Sequence, residues 1–172
     1  PVAYALDTLA MAAADLASIA ERRINRLVNP ALSGLPAFLV ADGGLRSALL
    51  VTQTVAAALV NETRALAVPS STDSIPTSAD QEDHVSMGAW CGWKARQAVD
   101  NCRKVLAIEL LCAGEAIGLH APTEPAPALR AAHGWLREIV PPATRDRPFG
   151  GDITRIATAL AEDGLPERLA RP

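Results

Sequence analysis

The sequence predicts an all-α chain. Apolar residues fill 49% of the 172 positions while aromatics fill only 3%, so the core has to be built from Ala, Leu, Val and Ile. Such a core suits close-packed helices better than aromatic-rich sheets. Long stretches repeat their apolar residues at intervals of three and four, the period of one helix face. Gly- and Pro-rich breaks separate these stretches. The length is enough for one ordinary domain with a real core.

The first element is a helix of about seven turns, with Val2, Leu6, Leu9, Ala13, Leu16, Ala20, Ile24 and Leu27 on one face. Ala10 to Ala14 give it high propensity, and Glu21-Arg22-Arg23 give it a polar exit. Asn29-Pro30 ends it, because a residue before proline avoids the helical region. Leu32 to Val40 is too rich in Gly and Pro for a helix and reads as an irregular connection packed on the body. Leu45 to Leu66 reads as a second helix, apolar nearly all round and therefore buried. A chain of this size has little room to surround such a helix, which points to oligomerisation. Val68 to Asp83 reads as a loop, and about Val85 to Leu119 as a long helix carrying Val99, Cys102, Leu106, Leu110, Ala113 and Ile117. A Pro-rich break over 121–127 precedes a short helix, about Ala128 to Val140. Asp152 is placed to cap a last helix, about Ile153 to Glu162, with Gly164 and Pro166 as its stop. The organisation expected is a long-helix segment over 1–119 and a short-helix appendage over 120–172.

Composition excludes several classes. The net charge is −3, with no basic run and no interleaved aromatic stripe, so nucleic acid is not an expected partner. No run reaches about 18 uninterrupted apolar residues, so no membrane span is expected. The opening residues lack the basic stretch of a signal peptide. Cys91, Cys102 and Cys112 form no metal-like cluster. On a helix they lie roughly 20° and 80° apart, as small core residues in a reducing cytoplasm.

The segment Ser74-Ile-Pro-Thr-Ser-Ala-Asp-Gln-Glu-Asp-His-Val-Ser-Met-Gly88 is the place to look for chemistry. It sets Gln81, Glu82, Asp83 and His84 side by side on a turn-rich loop between two apolar helices. Three readings stand together. The acidic residues complement the dipole of the next helix, with Asp83 as its N-cap; Glu82 performs acid–base chemistry or recognises a cation; or the cluster binds a metal, against which stands the absence of paired His or Cys spacing. His120 reads as a helix C-cap or dipole partner, and His133 as a surface or packing residue beside Trp135. Trp90 and Trp93 share one helical face and read as interface packing.

Several blocks occur in an order that resembles the histidine ammonia-lyases and aromatic amino acid lyases. They are Glu21-Arg-Arg-Ile24, Ser33-Gly-Leu-Pro36 with Phe38-Leu-Val40, Ala56-Ala-Ala-Leu59 with Asn61-Glu62, Asp73-Ser-Ile-Pro-Thr-Ser-Ala79, Gln81-Glu-Asp-His-Val-Ser-Met-Gly88 and Val105-Leu-Ala-Ile-Glu109. The Gln-Glu-Asp-His block is the histidine-type version; phenylalanine and tyrosine lyases usually carry Asn-Gln-Asp there. The match is good over about residues 1–119 and loose over the last fifty.

The resemblance implies long up-down helices of the ammonia-lyase central bundle, a homotetramer, and active sites shared among three subunits. It implies the elimination of ammonia from histidine or a related amino acid to give an α,β-unsaturated acid. An aminomutase on the same scaffold and a non-catalytic helical assembly subunit are the alternatives. Glu82 is expected as the catalytic and substrate-binding residue, facing the substrate side chain as recogniser and proton acceptor, with Gln81 beside it. Leu50 is expected to line the same pocket and to contribute shape. The family's cofactor is 4-methylidene-imidazol-5-one, formed from an Ala-Ser-Gly triplet. This sequence has no such triplet, so the resemblance implies a C-terminal portion completed by an upstream N-terminal half, with no metal. Asp80 stands where the family commonly has Asn, and Val68 where it has His.

Overall fold

A computed structural model describes residues 1–43, 45–47 and 49–162. The chain is helical, and among the described residues only isolated bridges, not strands, occur. The elements are α1 (Val2–Val28), α2 (Pro30–Ser33), a 3₁₀ turn (Ala37–Leu39), α3 (Leu50–Leu66), α4 (Gly88–Leu119), α5 (Pro127–Ile139) and α6 (Gly150–Glu162). The expected stop at Gly164 and Pro166 lies outside the described residues.

α1 and α4 form the spine and share the most extensive contact in the fold, α3 packs on both, and α5 and α6 lie against α4. The buried stripe of α1 is Ala10, Ala13, Ala17, Ala20, Ile24 and Val28. It meets α4 residues such as Ala95, Ala98, Cys102, Val105 and Ile108 in one continuous core. Small side chains let two helix backbones approach closely, so the stripe is rotated from the expected one. Val2, Leu9 and Leu16 are exposed, and alanines are buried in their place. Polar clasps join the helices at the rim. Arg23 grips Glu109 with two nitrogens, one bond being 2.9 Å from Nη2; Gln53 Nε2 donates to Glu21 at 2.9 Å; Asn101 Nδ2 donates to Glu62 at 3.0 Å. Glu21, expected in a polar exit, is buried by its clasp.

Several boundaries differ from the sequence reading. Asn29 does end α1, in an extended conformation, but its side chain also accepts from Ala31 N and starts α2, whose last two residues take up the beginning of the supposed irregular stretch. Gly34, at φ 72°, closes α2 in the left-handed region that favours glycine. α3 begins at Leu50 rather than Leu45 because tertiary bonds claim the preceding backbone. Ser47 N donates to Asp146 at 3.0 Å, and Leu49 N donates to the Phe38 carbonyl at 3.4 Å. Nor is α3 buried all round: Thr52, Ala56, Val60 and Thr63 form one buried stripe, while Val51 and Val55 face outward.

Asp83 is not the N-cap of α4, which begins five residues later at Gly88 behind Met87. Asp152 is not a cap either: α6 starts at Gly150, and the buried Asp152 carboxylate is taken by Arg147 and Arg155. All three cysteines are buried and unpaired, as expected. α1 is long and apolar enough to cross a membrane by length and composition alone, a reading that the count of uninterrupted apolar residues had not given. Its inner stripe belongs to the core, and its outer face carries Tyr4, Met11 and Ile19 exposed.

Candidate active-site loop

The loop between α3 and α4 is tied down at both ends. Asp7 projects from α1 and is 3% exposed. One carboxylate oxygen accepts from Ser70 N at 2.8 Å and Ser71 N at 2.7 Å. The other takes no hydrogen bond among the described residues and lies 3.6 Å from Lys94 Nζ. Lys94, on α4, donates to Ser70 Oγ at 2.7 Å and to the Val68 carbonyl. Burial by itself raises the pKa of Asp7, but the bonds from Ser71 and Ser70 outweigh it and hold the carboxyl at about 2. The Cys91 thiol beside it is pushed up, by burial first and by Asp7 second. At the far end, Val85 N donates to Ser74 Oγ at 2.9 Å.

Between these anchors the chain makes a small closed turn. Thr77 N donates to the Glu82 carbonyl at 3.1 Å, and Glu82 N returns a bond to the Thr77 carbonyl at 3.3 Å. Ser78, Ala79 and Asp80 lie in the left-handed region, with φ 54°, 53° and 65°. Non-glycine residues pay for that conformation, which persists only where the surroundings enforce it. Gln81 and Glu82 follow directly and are exposed; the Glu82 carboxylate accepts from Thr77 Oγ1 at 2.6 Å.

Of the residues expected to form a site, Gln81 and Glu82 therefore stand together on a fixed turn. Leu50 stands on the first turn of α3 and is 37% exposed. None of the three lines the cavity of about 440 Å³ that Arg46, Glu115, His133 and Arg137 border near α5. Within this chain alone the candidate site is open. His84 is exposed. His120 ends α4 through its backbone N–H. His133 Nε2 accepts from Arg137 at 3.1 Å, which fits a packing role. Trp90 and Trp93 stack with centroids 4.8 Å apart and remain half exposed. No metal-binding cluster occurs among the described residues.

Sequence reasoning missed Asp7, Lys94 and Thr77. A signal for Asp7 exists in hindsight: it interrupts an otherwise apolar stripe at Ala3, Asp7 and Ala10, and a buried acid needs a partner.

Residues 1–138 match the family model of the aromatic amino acid lyases. The histidine ammonia-lyase of Symbiobacterium thermophilum is 58% identical over 157 residues, which is 91% of this chain and 31% of that protein. That of Anaeromyxobacter sp. (strain K) is 52% identical over 165 residues, 96% of this chain and 32% of that protein. Among solved structures, histidine ammonia-lyase from Trypanosoma cruzi superposes with a TM-score of 0.94 at 42% identity, covering 98% of this chain and 33% of that one. Tyrosine aminomutase from Streptomyces globisporus gives 0.92 at 38% identity, covering 98% and 32%. The chain thus spans about a third of the length of the curated relatives it matches.

Proposed function

The chain belongs to the aromatic amino acid lyase family, and from that premise we propose that it is part of an ammonia-lyase acting on histidine or a related amino acid. The product is an α,β-unsaturated acid. The observation that carries this reading is the fixed turn that presents Gln81 and Glu82 side by side, on the loop whose Gln-Glu-Asp-His block is of the histidine type. A carboxylate there pairs with an imidazole N–H or an imidazolium, as an uncharged amide cannot do with equal strength. Glu82 recognises the substrate side chain and accepts a proton from it, Gln81 supplies amide donors and an acceptor, and Leu50 supplies shape.

The residues of this chain do not fit the family's ring-forming triplet, since no Ala-Ser-Gly occurs in the sequence. The electrophilic ring, which activates the amino group for departure, is in this reading supplied by an upstream half. Assembly is supported by the apolar outer face of α1 and by the exposed Trp90–Trp93 stack, both suited to burial against other subunits of a tetramer. The unpaired buried thiols support a reducing cytoplasm.

The test is reconstitution. This chain combined with the ring-bearing upstream half should convert histidine to an unsaturated acid, followed by its absorbance. Glu82→Gln should lower that activity, or shift preference toward neutral aromatic substrates, with assembly unchanged. A formed complex that turns over no amino acid would sink the reading. The resemblance to tyrosine aminomutase supports a second reading on the same scaffold, in which ammonia is re-added at the β-carbon. A β-amino acid product separates the two.

A further inference from the structure

We propose that Thr77 is a positioning residue: its hydroxyl fixes the Glu82 carboxylate in the orientation that receives the substrate side chain. The inference rests on the reading of Glu82 given above. A glutamate on an exposed loop loses rotamer freedom when it is held in one geometry, and Glu is among the side chains that lose most. A site that asks one carboxylate oxygen to meet one N–H gains if that ordering precedes binding.

The turn supplies the ordering. Thr77 and Glu82 exchange both backbone bonds, at 3.1 and 3.3 Å, so they form a hydrogen-bonded antiparallel pair whose side chains emerge on the same side. The three left-handed residues between them, with a further bond from Gln81 N to the Ser78 carbonyl at 3.3 Å, close the ring. Across this pair Thr77 Oγ1 donates to Glu82 Oε2 at 2.6 Å, a length proper to a hydroxyl bonded to a charged carboxylate. The branched side chain of threonine restricts its own χ1, so the donor is itself aimed. Oε2 is thereby oriented, and Oε1, which accepts no hydrogen bond among the described residues, is turned to meet a ligand's N–H.

A double-mutant cycle in the complete enzyme tests this, measuring kcat/KM for histidine, tyrosine and phenylalanine and using whichever is turned over. Thr77→Val keeps the shape and removes the donor; it should lower kcat/KM roughly tenfold, the size of one charge-assisted hydrogen bond. Thr77→Ser restores the donor and should recover most of that loss. In a Glu82→Ala background Thr77→Val should change kcat/KM less than about twofold, because a positioning residue has nothing left to position. Thermal melting and size-exclusion elution should be unchanged throughout; if Thr77→Val fails to assemble, Thr77→Ala takes its place in the same cycle. An equal loss in both backgrounds, or no loss in the parent, overturns the role of Thr77 while leaving that of Glu82 intact. A Glu82→Ala change that leaves kcat/KM unaltered, or no turnover of any of the three amino acids, overturns the reading of the site and this inference with it.

Discussion

Asp7 on α1 and Lys94 on α4 are both buried and meet across 3.6 Å, and between them they hold the backbone from Val68 to Ser71. Two long helices thus fix the start of the loop that presents Glu82. Desolvating an acid and a base is costly, and such a pair is retained where it specifies one arrangement.

Removing one partner strands the other. Asp7→Ala should destabilise the fold by about 3 kcal/mol, because Lys94 then lies buried without its counter-charge. Urea denaturation measures this. Pairing the change with Lys94→Met should recover part of the loss. A single-variant cost below about 1 kcal/mol would mean that the charges are solvated after all.

The same carboxylate sets an acid limit. Its pKa is about 2 in the folded chain against an ordinary 3.8, so the unfolded state takes up the proton first as pH falls. The stabilisation is therefore full above about pH 4 and is lost between about pH 4 and pH 2. Denaturation midpoints measured across that window should fall steeply in the parent and less steeply in Asp7→Asn.

α5 is seated on α4 at Gly114. A Cβ built there collides with Leu136 Cδ2 and comes within 3.3 Å of the Arg137 guanidinium. Arg137 is in turn held by Glu115 at 2.9 Å. Gly114→Ala should cost about 1–3 kcal/mol through this overpacking, even though alanine favours a helix. Adding Leu136→Ala should relieve part of the clash, as seen in thermal melts of the single and double variants.

The thiols should be inert in the folded chain. Burial pushes Cys112 up to about 12, with Glu115 and Glu109 adding to the effect, and burial also raises Cys91 and Cys102. The thiolate is the reactive species. A thiol-reactive dye should therefore label the native protein slowly and all three cysteines promptly in denaturant. Fast native labelling of Cys112 would contradict its burial.

The legible part of this molecule is the part that periodicity controls. The spans of α1, α5 and most of α4 follow from apolar spacing, and Asn29-Pro30 marks the end of α1 because the constraint before proline is local. The break between α3 and α4 was legible as a loop, since its Pro, Ser, Thr and Asp residues have no helical role. The five residues before α3 and the five between Glu82 and Gly88 depart from the sequence reading for one shared reason. Their propensity is helical or neutral, but distant groups take their backbone: Asp146 and Phe38 in the first case, and Ser74 in the second.

The amino-acid order by itself determined an alanine-rich helical chain, its main breaks, and the acidic loop with Gln81 and Glu82. Only the tertiary structure decided which stripe of each helix faces inward, that Asp7 finds Lys94 across 87 positions of sequence, and that Thr77 folds back onto Glu82. Periodicity is a property of neighbours three and four residues apart. Pairing of buried charges and donors depends on which helices meet, and that is settled by how closely their small side chains let the backbones approach.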